Sequence, residues 1–279
     1  LENLIKGQFK KLQQDEPLTY KLLYRLGCYR YQDIPLVPKE GILCLLWDVP
    51  EEKRKRVIKS LRNRSLIKCS NQEFYIHPVV KAEAINILKE SKDWEVTNRK
   101  IAEFWTESVE TIETVENALR AFEAYYHYLE IRDFKSCGMV CIKCRINKWG
   151  AVNEALGVSF CRLGLLQPMI DAINKIKNNI ERKYILSRLY NIIGDLYWQS
   201  GSLQTAISCH ELSEIISNES LKYDEEIEEI LKKNNKIGLK ELKIVSFFNR
   251  GLCNLDLWNI KEAIFFFTEC KKYASKLVN

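Results

Sequence analysis

Three histidines occur in the 279 residues, and His77 stands where two patterns meet. In EFYIHPVVKAE, residues 73–83, it lies between an alternating apolar run and Pro78. A proline at a first helical position leaves the remaining free N–H groups turned toward the preceding residue. An anion is attracted there, and the helix dipole keeps an imidazole neutral. His77 could therefore meet a phosphate; it could equally cap the helix or pack at the strand end.

Cys137, Cys141 and Cys144 form C-x3-C-x2-C, with His127 the nearest candidate for a fourth metal ligand. Spacings of four and three put all three sulfurs on one face of a helix, at positions where a repeat packs small side chains. Packing is the expectation, and no metal is assigned. The chain has no G-x-x-x-x-G-K-[ST] loop and no Gly-Lys pair, so nothing here cradles a triphosphate or its magnesium. No Ser/His/Asp set or carboxylate pair can be argued either, and the chain is not expected to be an enzyme.

A third constellation is electrostatic. The net charge of +6 comes from residues 1–100, which carry 20 Lys and Arg against 13 Asp and Glu, while the remainder has 23 against 24. Lys53, Arg54, Lys55, Arg56, Lys59, Arg62 and Arg64 crowd one predicted helix. Such a helix could be a solvated face, a docking face for another domain, or a DNA-binding element making salt-sensitive, sequence-independent phosphate contacts. Asn63 is the one amide on it suited to base edges.

The elements that must position these groups follow from periodicity. Phe9, Leu12, Leu18, Leu22, Leu23 and Leu26 repeat at helical spacing in FKKLQQDEPLTYKLLYRLG, and further helices are expected near 38–47 and across 50–67. The period then drops to two through Leu66–Cys69 and Phe74–His77 around the turn residues Ser70, Asn71 and Gln72, a short hairpin. A helix from Pro78 to about Glu90 closes the module, which gives a winged-helix plan over 1–92. SKDWEVTN, residues 91–98, is the expected boundary, and everything beyond it reads as helical.

Residues 187–216 and 244–273 repeat each other. Each runs aromatic, Gly four residues later, and Ala twelve beyond the Gly: Tyr190, Gly194 and Ala206, then Phe247, Gly251 and Ala263. This resembles the tetratricopeptide repeat, a helical hairpin whose small residues let its two helices approach closely. Weaker copies fall at Gly157, Phe160, Gly164 and Met169, and at Tyr125, Tyr128, Asp133 and Cys137. The packed second-helix position then recurs at Cys137, Met169, Ala206 and Ala263, intervals of 32, 37 and 57 residues. The long interval implies an insertion near 220–242, where Glu228/Lys232 and Glu229/Lys233 suit a solvated helix. The fold class is thus mainly all-α, a winged-helix module with a short hairpin at 1–92 and a tetratricopeptide-like solenoid over 93–279.

The run from QFKKLQQDEPLTYKLLYRLG through SLRNRSLIKCSNQEFYIHPVVKAEAINIL resembles the winged-helix module of bacterial NB-ARC proteins, the STAND-class regulatory ATPases, with repeat arrays behind them. In that family a Met-His-Asp phrase ends the wing and its histidine meets the β-phosphate of ADP. Ile76 stands for the Met, His77 for the His, and Pro78 departs from the Asp. The resemblance implies ADP or ATP in a full-length parent and no cofactor in these residues. The expected partners are a protein or peptide, on a concave face including Tyr190, Asp195, Phe247 and Asn249, and a nucleotide-binding domain ahead of residue 1. The opening Leu1 and the lack of a leader fit a piece of a longer chain. The alternative is a DNA-binding regulator whose repeats bind a peptide signal. Ten cysteines inside periodic apolar segments suit reduced thiols in a cytoplasm, and no apolar run is long enough for a membrane span.

Overall fold

The computed structural model describes residues 2–221 and 238–278. The chain is mainly α-helical and forms two compact units, Leu1–Glu110 with Leu119–Asp133, and Thr111–Ala118 with Phe134–Asn279. The first unit therefore continues past the expected boundary at 91–98. Trp94–Ser108 buries Ile101, Ala102 and Trp105, so this helix belongs to the first unit's core.

The first unit opens with two helices where the periodicity suggests one. They are α1 (Glu2–Asp15) and α2 (Pro17–Leu26). Pro17 has no N–H for a continuing helix and starts a new one at N1. Glu16 at the break accepts from Thr19 at 2.9 Å, Ser60 at 2.6 Å and Arg64 at 2.7 Å. These bonds hold its carboxyl down at about 2.

β1 (Val37–Pro38), α3 (Lys39–Cys44), α4 (Glu51–Asn63), β2 (Ile67–Ser70), β3 (Glu73–Ile76) and α5 (Pro78–Glu90) follow. The expected hairpin is present, and β1 adds an antiparallel edge, giving the order β1-β3-β2. Asn71 and Gln72 join β2 to β3 with φ of 49° and 64°. A two-residue loop with both φ positive matches the twist of the strands it joins.

Arg25 pins this unit together. Its guanidinium is 1% exposed and reaches Asp48 at 2.6 Å, Asp93 at 2.7 Å and the Leu45 carbonyl at 2.8 Å, and it stacks 3.7 Å over the Trp47 ring. α6 (Trp94–Ser108) completes the order before β4 (Thr111–Ile112), and α7 (Val115–Glu130) follows.

The second unit is not wholly helical. After α8 (Phe134–Ile142), β5 (Cys144–Asn147) and β6 (Gly150–Ala155) form a hairpin, and β4 pairs parallel to β5. The sequence hides this sheet because β5 is patterned inside out, with Arg145 and Asn147 buried and Ile146 56% exposed. A period-two search for inward apolar residues misses it. Then come α9 (Leu156–Arg162), α10 (Leu166–Ile176), α11 (Lys183–Gln199), α12 (Leu203–Leu221), α13 (Leu239–Asp256) and α14 (Ile260–Val278).

The repeat alignment has a backbone counterpart. The first helix of each of four hairpins ends in a left-handed residue, at Arg132, Gly164, Gly201 and Trp258, 32, 37 and 57 residues apart. The next N–H donates to the carbonyl five residues back each time: Asp133 to Tyr128, Leu165 to Phe160, Ser202 to Tyr197 and Asn259 to Asn254. This Schellman closure satisfies carbonyls the helix end would leave open. The same closure also ends α4 at Ser65, where the Leu66 N–H donates to the Leu61 carbonyl, so it is a shared helix ending spaced as the sequence copies are. The insertion's Glu228/Lys232 and Glu229/Lys233 pairs lie outside the described residues. Among the described residues no helix is long and apolar enough to cross a membrane.

Candidate functional site

The seven basic residues divide once their surroundings are seen. Arg54 donates to the Val49 carbonyl at 3.0 Å, and Arg64 is tied to Glu16. Lys53 and Arg56 are exposed on α4. Lys55, Lys59 and Arg62, also exposed, line a cleft of about 610 Å³ between α4 and the sheet, and Lys39 at the start of α3 lines it as well. Ile58 and Phe74 supply apolar surface, and Asn63 and Gln72 bring amides. Among the described residues no carboxylate lines it.

His77 is the N-cap of α5, and its Nδ1 accepts from the Val79 N–H at 3.3 Å. The ring is exposed. The capping role read from the sequence is thus filled, and the side chain remains open to a further contact.

The four residues expected on a concave partner face are not alike. Phe247 is 7% exposed and stacks on Tyr273, with centroids 5.4 Å apart and planes at 8°. It packs α13 on α14 and presents little of its surface outward. Asn249, 8% exposed, donates to Asp195 Oδ1 at 2.8 Å, linking α13 to α11. Tyr190 is half-buried, with the Lys177 ammonium 5.8 Å from its ring. Asp195 keeps 24% of its side chain exposed, yet surrounding protein pushes its carboxyl up to about 7.

His210 is the neighbour that sequence reasoning missed. It is fully buried, 3.7 Å from Asp195 Oδ1, and among the described residues neither ring nitrogen has a hydrogen-bond partner. Burial lowers it to about 4, so at neutral pH it is an uncharged ring. The signal was available, since His210 lies four residues beyond Ala206 as Phe267 lies four beyond Ala263.

A second missed set has the composition of a catalytic triad. Cys28 Sγ donates to Asn98 Oδ1 at 3.2 Å, and His127 Nδ1 donates to the same oxygen at 3.0 Å. An amide oxygen only accepts, so the His127 nitrogen nearest the thiol, at 3.8 Å, carries the proton and is no base. Burial pushes the Cys28 thiol far up and His127 down to about 3. A thiolate is the nucleophile in cysteine chemistry, so this buried thiol is structural.

The cysteine run also resolves differently from expectation. Cys137 and Cys141 are buried on α8, but Cys144 begins β5 and is exposed. The helix stops at Ile142, so the three sulfurs do not share one helical face. Among the described residues no group of three or more His, Cys, Asp or Glu could hold a metal.

No family model and no curated protein matches the chain. Among solved structures it is similar to a Signal Transduction ATPase with Numerous Domains (STAND) protein with a tetratricopeptide repeat sensor from Pyrococcus horikoshii. The TM-score is 0.38, with 15% sequence identity over 99% of this chain and 47% of that one. The chain spans about half the length of that protein.

Proposed function

We propose that the chain is the non-catalytic binding and relay part of a STAND-class regulatory switch. Its helical hairpins bind a protein or peptide, and residues 1–92, in a winged-helix plan, couple that event to nucleotide held by a domain ahead of residue 1. The observation that carries this reading is the matched packing of two helical hairpins, Gly194 against His210 and Gly251 against Phe267. Stacked repeats of this kind present extended binding surfaces and have no need of an active site. Supporting it, the Cys28, Asn98 and His127 set is sealed from solvent and lacks a base.

His77 is the residue that would meet the nucleotide's phosphate, because it is exposed at a helix N-terminus where anions are attracted. The test uses the parent chain with its upstream domain. His77→Asn keeps an N-cap and should speed ADP release about tenfold, as expected for one lost phosphate contact of ~1.4 kcal/mol. An ADP release rate unchanged by His77→Asn and by His77→Ala would refute the role. The 279-residue chain alone should turn over no ATP, and turnover would refute the relay reading itself.

A further inference from the structure

We propose that the cleft between α4 and the three-stranded sheet binds a single strand of nucleic acid through its phosphodiester backbone, a capacity separate from the relay role.

The charge is concentrated and unspent. Lys39, Lys55, Lys59 and Arg62 all line the cleft, and among the described residues none of them is held in an ion pair. The other basic residues of α4 show what spent charge looks like, since Arg64 is bound to Glu16 and Arg54 to a carbonyl. Four cations in one concavity without an intervening carboxylate repel one another, and an anion relieves that repulsion. A concave wall also focuses their field toward the opening.

The arrangement suits a repeating anion better than a compact one. Lys55, Lys59 and Arg62 stand at i, i+4 and i+7 on α4. At 1.5 Å per residue they form a ladder of charge roughly 10 Å long. Lys39 faces this ladder from a separate element. A single phosphate could satisfy one rung, whereas a chain with a charge on every unit can occupy all of them.

The remaining lining is what a nucleotide strand needs besides charge. Ile58 and Phe74 offer apolar surface for a sugar or base face, and Asn63 and Gln72 offer amides that can donate and accept at base edges. Gln72 is held at φ 64° in the β2–β3 turn, a conformation that favours glycine and strains other residues. From that turn Gln72 places an amide in the lining of the cleft.

The test is fluorescence anisotropy of the intact chain with a labelled oligothymidylate across a salt titration. Four phosphate contacts predict a slope of log K against log salt near about −3. The double variant Lys59→Ala/Arg62→Ala should weaken binding tenfold or more and flatten the slope by about 1.4. Lys53→Ala/Arg56→Ala, on exposed α4 positions outside the cleft, should change affinity less than twofold, with the folding of both variants checked by circular dichroism. Absence of binding at low salt, or equal losses in the two double variants, would overturn the proposal. So would tighter binding of a duplex than of the single strand. Displacement by polyglutamate as effective as by unlabelled oligonucleotide would assign the cleft to an acidic protein segment instead. None of these outcomes bears on ADP release through His77, so the two readings stand or fall separately.

Discussion

Gly194 on α11 lies against the imidazole of His210 on α12 so closely that a methyl group at Gly194 would come within 2.6 Å of His210 Cε1. Gly251 stands in the same relation to Phe267, again at 2.6 Å. Glycine is required at both positions by approach between paired helices, not by backbone conformation, and the sixteen-residue offset is the same in both. Gly157 departs from this pattern, since a Cβ there would meet Ile192 of α11 and not its own hairpin.

Gly194→Ala and Gly251→Ala should each destabilise the chain by about 2 kcal/mol, the scale of an overpacked core, measured by urea denaturation. His210→Phe should do the opposite. It copies the partner that Gly251 already accommodates and removes two buried nitrogens that have no hydrogen bond among the described residues, for a gain of about 1 kcal/mol. A loss of stability in His210→Phe would show that the imidazole has a polar partner in solution.

Trp258 occupies the left-handed position that glycine fills at Gly164 and Gly201, with φ 60° and 84% of its surface exposed. Such a conformation costs a non-glycine residue ~1–2 kcal/mol. Because the side chain buries little, Trp258→Gly should raise the unfolding free energy by about 1 kcal/mol, and Gly201→Ala should lower it by a similar amount. If Trp258→Gly destabilises, the tryptophan is held by contacts that outweigh the strain.

Arg25 should be among the most sensitive positions of the first unit. Arg25→Ala leaves Asp48 and Asp93 without their shared cation. Both carboxylates keep some exposure, so the expected loss is about 3 kcal/mol, at the low end for breaking a buried pair. Thermal unfolding of Arg25→Ala beside Asp48→Asn checks this, and the single neutralised carboxylate should cost clearly less.

The buried titrating groups oppose each other with pH. Burial raises Glu123 from 4.5 to about 7, despite Arg30 at 2.6 Å, and Asp195 from 3.8 to about 7. In that window the folded state holds protons the unfolded chain releases, so these two lose stability as pH rises toward 7. His127 and His210, lowered from 6.5 to about 3 and about 4, act in the other sense and gain stability as pH rises to about 6.5. Glu16, held near 2, contributes stability above its unfolded value of 4.5 that is lost as pH falls. Glu123→Gln should therefore make stability climb more steeply between pH 4.5 and 6.5 than it does in the parent protein. An unchanged profile would mean that Arg30 keeps Glu123 ionised.

How much of this was written in the chain depended on whether a pattern is local. The hairpin at 67–76, the helix opening at Pro78 and the Gly-to-Ala spacing of the two fuller repeats were legible because backbone sterics and periodic burial act over a few residues. The break at Pro17 was legible in principle, since proline has no N–H to continue a helix. The β5–β6 hairpin was not, because its inward residues are Arg145 and Asn147 and alternation of apolar side chains could not mark it. The basic run on α4 was visible, but a helix alone does not say which of its charges are already partnered. Only the fold ties Arg64 to Glu16, leaves Lys55, Lys59 and Arg62 facing Lys39 across a cleft, buries Phe247, and seals Cys28, Asn98 and His127 together. Each of those outcomes depends on residues far apart in sequence competing for one partner or one volume, and that competition is settled only when the chain has packed.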